Sequence, residues 1–218
     1  KLDGEHVYDK EDQWKELRRH FDSVFNRASV MHPPLPKVST VRNPAREVEL
    51  MRKEYDAAVE FYKTGKSCGP DKMLIEMLKL LNKQNSDIMW IIIKDIYDTK
   101  ELSPFYRQVI ISLLAKAGKS HMAKGWRPIT LVTMICKIIS RIVYVRIRDK
   151  ADSILDDSQN GFRKYRRTTE AILQLRNLSE RSKEAKKKLF VAFIDLQGAF
   201  DTVSRELVHE VLEYYDFP

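Results

Sequence analysis

Apolar residues recur at helical spacing along much of the chain, and the interruptions are as informative as the repeats. Trp14, Leu17, Phe21, Val24 and Phe25 share one face of a helix expected across residues 9–27, where they read as core rather than ligand-stacking aromatics. The Pro-rich stretch at 32–41 breaks the pattern and is expected to cross a surface. Asn43-Pro44 then offers a helix start, after which Val48, Met51, Tyr55, Val59 and Tyr62 repeat at helical spacing. Further helices are predicted at 74–81, 86–97, 135–147 and 169–184, with Lys137, Arg141 and Arg148 near one side of the third. Alternation of Val109, Ile111, Leu113 and Ala115 predicts a strand at 109–115, followed by a Gly- and Lys-rich loop and an extended piece at 127–131. There is no internal repeat.

One run departs from helical spacing. In LFVAFIDLQGAFD, residues 189–201, six apolar residues lead into Asp195, then a Gly-containing turn, then Asp201. Both alternating faces of 189–194 are apolar, which predicts a fully buried strand with Asp195 at its end. A carboxylate there is costly unless it is hydrogen-bonded, paired or bound to a cation. Mg²⁺, which favours one or two carboxylates plus substrate phosphates, is the natural partner, and such a site suits phosphoryl or nucleotidyl transfer. The competing reading is an Asp that only caps the following turn, and the run alone does not separate the two.

The wider context does. FIDLQGAFD resembles motif A of reverse transcriptases, especially those of retrotransposons lacking long terminal repeats (LINE-type), whose pattern is F-x-D-x-x-x-A-F-D. Four further segments match that family in order: CGPD at 68–71 resembles its G-P-D signature, LAKAG at 114–118 its P-K-x-G element, WRPITL at 126–131 its Y-R-P-I-S-L element, and QNGFR at 159–163 its Q-x-G-F-R element. Each is weak alone; five in sequence across residues 64–218 are specific. Residues 3–26, with Trp14, His20, Phe21 and Asn26, also resemble the linker before the polymerase in elements that carry an upstream endonuclease.

The resemblance implies an α+β fold, the fingers of a right-hand polymerase plus its first palm strand: a helical extension at 1–63, a fingers-like region at 64–188 and the start of the palm at 189–218. It implies that Asp195 is one of three catalytic carboxylates holding two Mg²⁺ ions, with Mn²⁺ as a substitute, assisted by the backbone carbonyl of Leu196. Gly198 and Ala199 would offer backbone N–H groups to the incoming triphosphate, and Phe200 would be the steric gate against a ribonucleotide 2′-hydroxyl. Lys116 and Arg127 would clamp the triphosphate, one as a point charge and one as a fork. Gln159, Gly161, Phe162 and Arg163 would lie near template and primer. Asp201 matches the pattern but is expected to be structural, as a cap for a helix near 203–215. The implied partners are an RNA template, a DNA primer or target, and dNTPs.

Four positions depart from the family: Lys72 where Gly often follows G-P-D, Ala115 where Pro precedes the Lys, Arg167 where Gly follows the G-F-R element, and Gly198 where Lys often precedes A-F-D. No Y-x-D-D motif, the source of the other catalytic carboxylates, occurs in the 218 residues; the only adjacent aspartates, Asp156-Asp157, precede the QNGFR element and read as a solvated loop. The expectation is therefore a first part of an RNA-directed DNA polymerase that does not polymerise alone. The alternative is a truncated or repurposed remnant that holds RNA without chemistry. A viral RNA replicase is a third reading, against which Phe200 and QNGFR argue.

Charge sharpens the picture. The net +8 is uneven: residues 1–99 are neutral, 100–188 carry +13 and 189–218 carry −5. A basic middle beside an acidic segment suits a surface that tracks a phosphate backbone next to a cation site, although a solvated charged face is the common alternative for any basic run. Lys183 and Lys186–Lys188 form either a loop or a localisation signal, and the expected location is the nucleus with cytoplasmic transit. With 32% charged residues and no apolar run near spanning length, insertion into a membrane is not expected. Two widely separated cysteines, Cys68 and Cys136, have no metal-ligand spacing and suit reduced thiols.

Overall fold

The computed structural model describes residues 9–26, 48–84, 87–118, 122–196 and 198–217. Expectations for the Pro-rich stretch, the Asn43-Pro44 helix start and residues 3–8 of the linker-like segment lie outside them. Seven α-helices and one two-stranded sheet are described: α1 (Lys10–Phe25), α2 (Arg52–Phe61), α3 (Ile75–Lys83), α4 (Ile88–Thr99), β1 (Val109–Ala115), β2 (Trp126–Val132), α5 (Met134–Ile154), α6 (Thr168–Glu184) and α7 (Arg205–Tyr214).

The core is built by α2 to α5. On α5, Met134, Ile135, Ile138 and Ile142 fall on one stripe and are buried against Tyr55, Ala58 and Val59 of α2, Ile75 and Leu78 of α3, and Met89 and Ile93 of α4. Fully enclosed side chains such as Leu78, Ile93 and Ile138 each contribute about 1.5–3 kcal/mol. The buried Tyr55 and the partly buried Tyr62 keep their hydroxyls satisfied. Tyr55 donates to Asn82 Oδ1 at 3.1 Å, and Tyr62 donates to the Lys137 carbonyl at 2.8 Å, tying α2 to α3 and α5. Val48 and Met51, expected on the helix, precede it; Glu54 instead draws the Met51 N–H into a first-turn bond at 3.0 Å.

One helical turn beyond Ile142 the stripe on α5 reaches Arg146, which replaces apolar packing with a charged knot. Its Nε and Nη2 meet the two carboxylate oxygens of Glu54 at 2.7 and 2.6 Å, and the same guanidinium donates to the Val48 and Glu49 carbonyls at 3.0 and 2.9 Å. The bidentate bond holds the Glu54 carboxyl below the ordinary range.

The CGPD segment is architectural. A Cβ on Gly69 would lie 2.3 Å from the Val132 carbonyl oxygen, so only glycine lets this loop press against the end of β2. Asp71 then caps α5 from 63 residues away, Oδ2 accepting from the Met134 N–H at 2.7 Å and Oδ1 from the Met73 N–H at 3.3 Å. The local N-cap residue, Thr133, is fully buried and spends its hydroxyl on the Tyr106 carbonyl at 3.0 Å. Lys72 sits at φ +54°, which explains why glycine is the common residue there.

The strand expected at 109–115 forms as β1 and pairs antiparallel with β2 from Val109↔Val132 to Ala115↔Trp126. The remaining strand expectation is corrected: residues 189–196 are not part of a strand, with Phe190, Phe193 and Ile194 86–88% exposed, so the buried strand expected at 189–194 is not found among the described residues. The apolar pattern reports a propensity for burial; a strand also needs a hydrogen-bonded neighbour, and the one sheet among the described residues is the β1–β2 hairpin. Asp201 is not the cap of α7 either. Ser204 is, its hydroxyl accepting from the Leu207 N–H at 3.2 Å.

Candidate functional site

The hairpin brings two predicted cations to one end. Lys116 follows the last β1 residue and pairs its backbone N–H with the Gly125 carbonyl at 2.8 Å, while Arg127 stands one residue inside β2 opposite Leu114. The Lys116 ammonium donates to the Lys124 carbonyl at 2.9 Å and the Arg127 side chain makes no ion pair among the described residues, so both charges are available to an anion.

Asp195 sits on the exposed, unpaired segment that follows α6. Its carboxylate enters no hydrogen bond or ion pair among the described residues, and no group of three or more acidic, His or Cys side chains gathers around it or elsewhere among them. The turn that follows has a clear local cause. Gly198, at φ +64°, accepts from both the Asp201 and Thr202 N–H groups at 3.0 and 3.1 Å, and the Thr202 hydroxyl closes on the Ala199 carbonyl at 3.2 Å. Among the described residues this turn closes around Gly198 without a hydrogen bond from Asp195.

The QNGFR element divides by residue. Phe162 is 90% exposed at φ +62°, and its ring meets that of Phe200, 78% exposed, edge to face at 5.6 Å. This contact joins two predicted site residues 38 positions apart. Gln159 curls back on the loop, donating to the Gly161 carbonyl at 3.3 Å. Arg163 turns inward. Its side chain is 6% exposed, with Nε on Asp152 Oδ1 at 2.8 Å, Nη2 on the Asp152 carbonyl at 3.1 Å, and Nη1 on the Asp156 and Gln159 carbonyls at 2.8 and 3.4 Å. A guanidinium spent on four acceptors braces the loop against the end of α5. Asp152 is held below the ordinary carboxylate range by that bond, and Asp156 by its bonds with Ser158.

Next to this loop, Asp157 pairs with Arg166 at 2.7 Å, so the Asp156-Asp157 pair is a solvated, locally bonded turn as expected. Arg167 is extended at φ −140°, so its place in a common Gly position costs nothing. Sequence reading missed the inward role of Arg163, for which the nearby Asp152 and Asp156 were the available signal, and the capping role of Asp71, for which no local signal exists.

Comparison with known proteins gives the context for this arrangement. A family model described as reverse transcriptase (RNA-dependent DNA polymerase) matches residues 114–218. The chain is 24% identical over 183 residues to the transposon TX1 uncharacterized 149 kDa protein of Xenopus laevis, covering 84% of this chain and 14% of that protein. It is 26% identical over 141 residues to the RNA-directed DNA polymerase from mobile element jockey of Drosophila melanogaster, covering 63% and 15%. To the retrovirus-related Pol polyprotein from type-1 retrotransposable element R2 of Popillia japonica it is 28% identical over 102 residues, covering 47% and 14%. The chain thus spans about one-seventh of the length of these relatives. The family match begins at the Lys116 element and runs through Asp195, and the relatives are retrotransposon proteins, so over this region the chain is similar to reverse transcriptases of the LINE type.

Proposed function

We propose that the chain forms the fingers and the opening of the palm of a right-hand RNA-directed DNA polymerase, and that it contributes the first metal-binding carboxylate. The observation that carries the reading is the family match across 114–218, within which Lys116 and Arg127 share one hairpin end and Asp195 stands exposed, its carboxylate making no hydrogen bond or ion pair among the described residues. One exposed carboxylate with the Leu196 carbonyl beside it fits a hard ion that takes few protein ligands and completes its shell with phosphate oxygens and water. When bound, Mg²⁺ supplies charge stabilisation to an in-line displacement at phosphorus.

In this reading the protein residues position and neutralise. Lys116 and Arg127 draw the triphosphate against the hairpin end, Arg127 as the planar fork. The turn at Gly198 and Ala199 brings main-chain N–H groups close to phosphate oxygens, and Phe200 lies under the sugar. Phe162, Gln159 and Gly161 sit along the paired strands, with Arg163 holding their loop. An RNA template, a DNA primer and dNTPs are the corresponding partners. The R2 relative is named a Pol polyprotein, which suits a multidomain polypeptide. None of the relatives reported above supports the alternative of a non-catalytic RNA-holding remnant.

Primer extension on an RNA template by the polypeptide that carries this chain tests the proposal. Template-directed dNTP incorporation that Asp195→Ala abolishes is expected. Comparable extension by wild type and Asp195→Ala would exclude the assignment.

A further inference from the structure

Away from the hairpin and Asp195, the end of α2 and the start of α5 enclose a cleft of about 330 Å³. Its walls are mainly apolar, from Tyr62, Ile75 and Met134, and three ammonium-bearing residues, Lys63, Lys66 and Lys137, line it. None of the three meets a carboxylate or another hydrogen-bond acceptor among the described residues, although this surface belongs to a chain with 31 acidic residues. Three uncompensated cations around one concavity repel each other and favour an anionic occupant.

Phe61 also lines the cleft, with 54% of its surface exposed. The Arg141 guanidinium stacks on its ring at 3.5 Å and lies 5.2 Å from the Tyr144 ring, with no ion pair or hydrogen bond to another described residue. Arg141 therefore keeps its N–H donors for a ligand while its plane covers an aromatic face. The cleft lies at the lower end of the roughly 300–1,000 Å³ range of ligand sites, which suits one nucleotide-sized group. Cations around an aromatic platform are the combination that single-stranded nucleic acids use, with phosphates on the charges and an unstacked base on the ring. Bases in a duplex are already stacked and cannot enter. The lysines come from the loop after α2 and from α5, and the Tyr62 hydroxyl bond to the Lys137 carbonyl fixes their spacing.

We infer that the α2–α5 cleft binds one nucleotide of a single-stranded nucleic acid, its two flanking phosphates among Lys63, Lys66 and Lys137 and its base on Phe61 beside Arg141. The contacts are to phosphate and base, so ribo- and deoxyribo-strands both fit. The site is separate from the proposed polymerase chemistry and is tested without it.

The probe is fluorescence anisotropy of the full chain with labelled ten-nucleotide uridine and thymidine oligomers, without divalent cation or nucleotides, over a range of salt. Replacing Lys63, Lys66 and Lys137 together by Ala lowers affinity by at least about tenfold and reduces the slope of log affinity against log salt by about 1.4, two phosphates at roughly 0.7 each. Phe61→Leu weakens oligomer binding by about fivefold or more at unchanged salt slope. Arg141→Gln, which keeps the stem, provides a second variant should Phe61→Leu lower the thermal midpoint. Poly-glutamate binding separates the occupants: it falls with the triple substitution but not with Phe61→Leu. An unchanged salt slope in the triple variant, an equal loss on a blunt duplex, or a Phe61→Leu effect as large on poly-glutamate would overturn the inference.

Discussion

The rings of Phe162 and Phe200 meet edge to face, centroids 5.6 Å apart and planes at 89°, linking the QNGFR loop to the segment that carries Asp195. Both side chains are largely exposed, so each is the other's principal ring neighbour and Phe162 fixes where Phe200 can stand. If Phe200 packs under the sugar, its replacement by Ala raises ribonucleotide use relative to dNTPs by roughly a hundredfold, the scale on which a pocket rejects one added hydroxyl. Phe162→Ala moves the same ratio in the same direction by a smaller factor. Competitive incorporation with the active polymerase measures both, and an unchanged ratio in Phe200→Ala removes it from the gate position.

Arg163 predicts a loss of a different kind. Its four acceptors lie within the chain, so its removal loosens the loop before it affects any ligand. In Arg163→Ala, amide exchange across residues 156–167 accelerates about tenfold, while α2 to α4 are unchanged. Arg163→Lys recovers little of this, because a single ammonium cannot serve three directions. Equal protection in wild type and Arg163→Ala would return Arg163 to the surface as a nucleic-acid contact.

The G-P-D loop makes two opposed predictions at neighbouring positions. Gly69→Ala forces a methyl to 2.3 Å from a backbone oxygen and destabilises the fold by about 3 kcal/mol. Lys72→Gly relieves a side chain held at φ +54° and stabilises by about 1 kcal/mol. Urea unfolding of the two variants against wild type shows midpoints moving in opposite directions, and a lower midpoint for Lys72→Gly would contradict the backbone argument.

The Glu54–Arg146 knot gives a pH dependence whose sign is fixed. The Glu54 carboxyl is lowered in the folded chain from its ordinary value of 4.5, first by its bond with Arg146, so its stabilisation is complete above about pH 4.5 and is lost as pH falls through the folded value. Arg146→Ala costs about 3 kcal/mol at pH 7, because it leaves a half-buried carboxylate unpaired. The difference between wild type and variant shrinks at acid pH as Glu54 protonates. A difference that stays constant from pH 7 to pH 3 would refute the linkage.

These comparisons also show where sequence reading succeeds. Helix spacing singled out Tyr55 and Val59, which are buried because a helix buries whatever its own stripe presents. Alternation placed β1, since its partner β2 lies ten residues away and the hairpin is local. The run at 189–194 misled because burial of a strand depends on a neighbour that its own residues do not encode. Of the candidate site, the residue types at 116, 127, 195 and 200 were legible through motif order. The inward turn of Arg163 and the long-range cap at Asp71 were not, since both depend on acceptors or donors brought together by the fold.

The most direct measurement is single-turnover incorporation of one dNTP on an RNA template, comparing Asp195→Asn with Lys116→Ala in the polypeptide that carries this chain. Asp195→Asn lowers the maximal rate by about 10³-fold with dNTP affinity nearly unchanged, whereas Lys116→Ala acts mainly by weakening dNTP binding. A maximal rate for Asp195→Asn within a few-fold of wild type would contradict the assignment of position 195 to the chemical step.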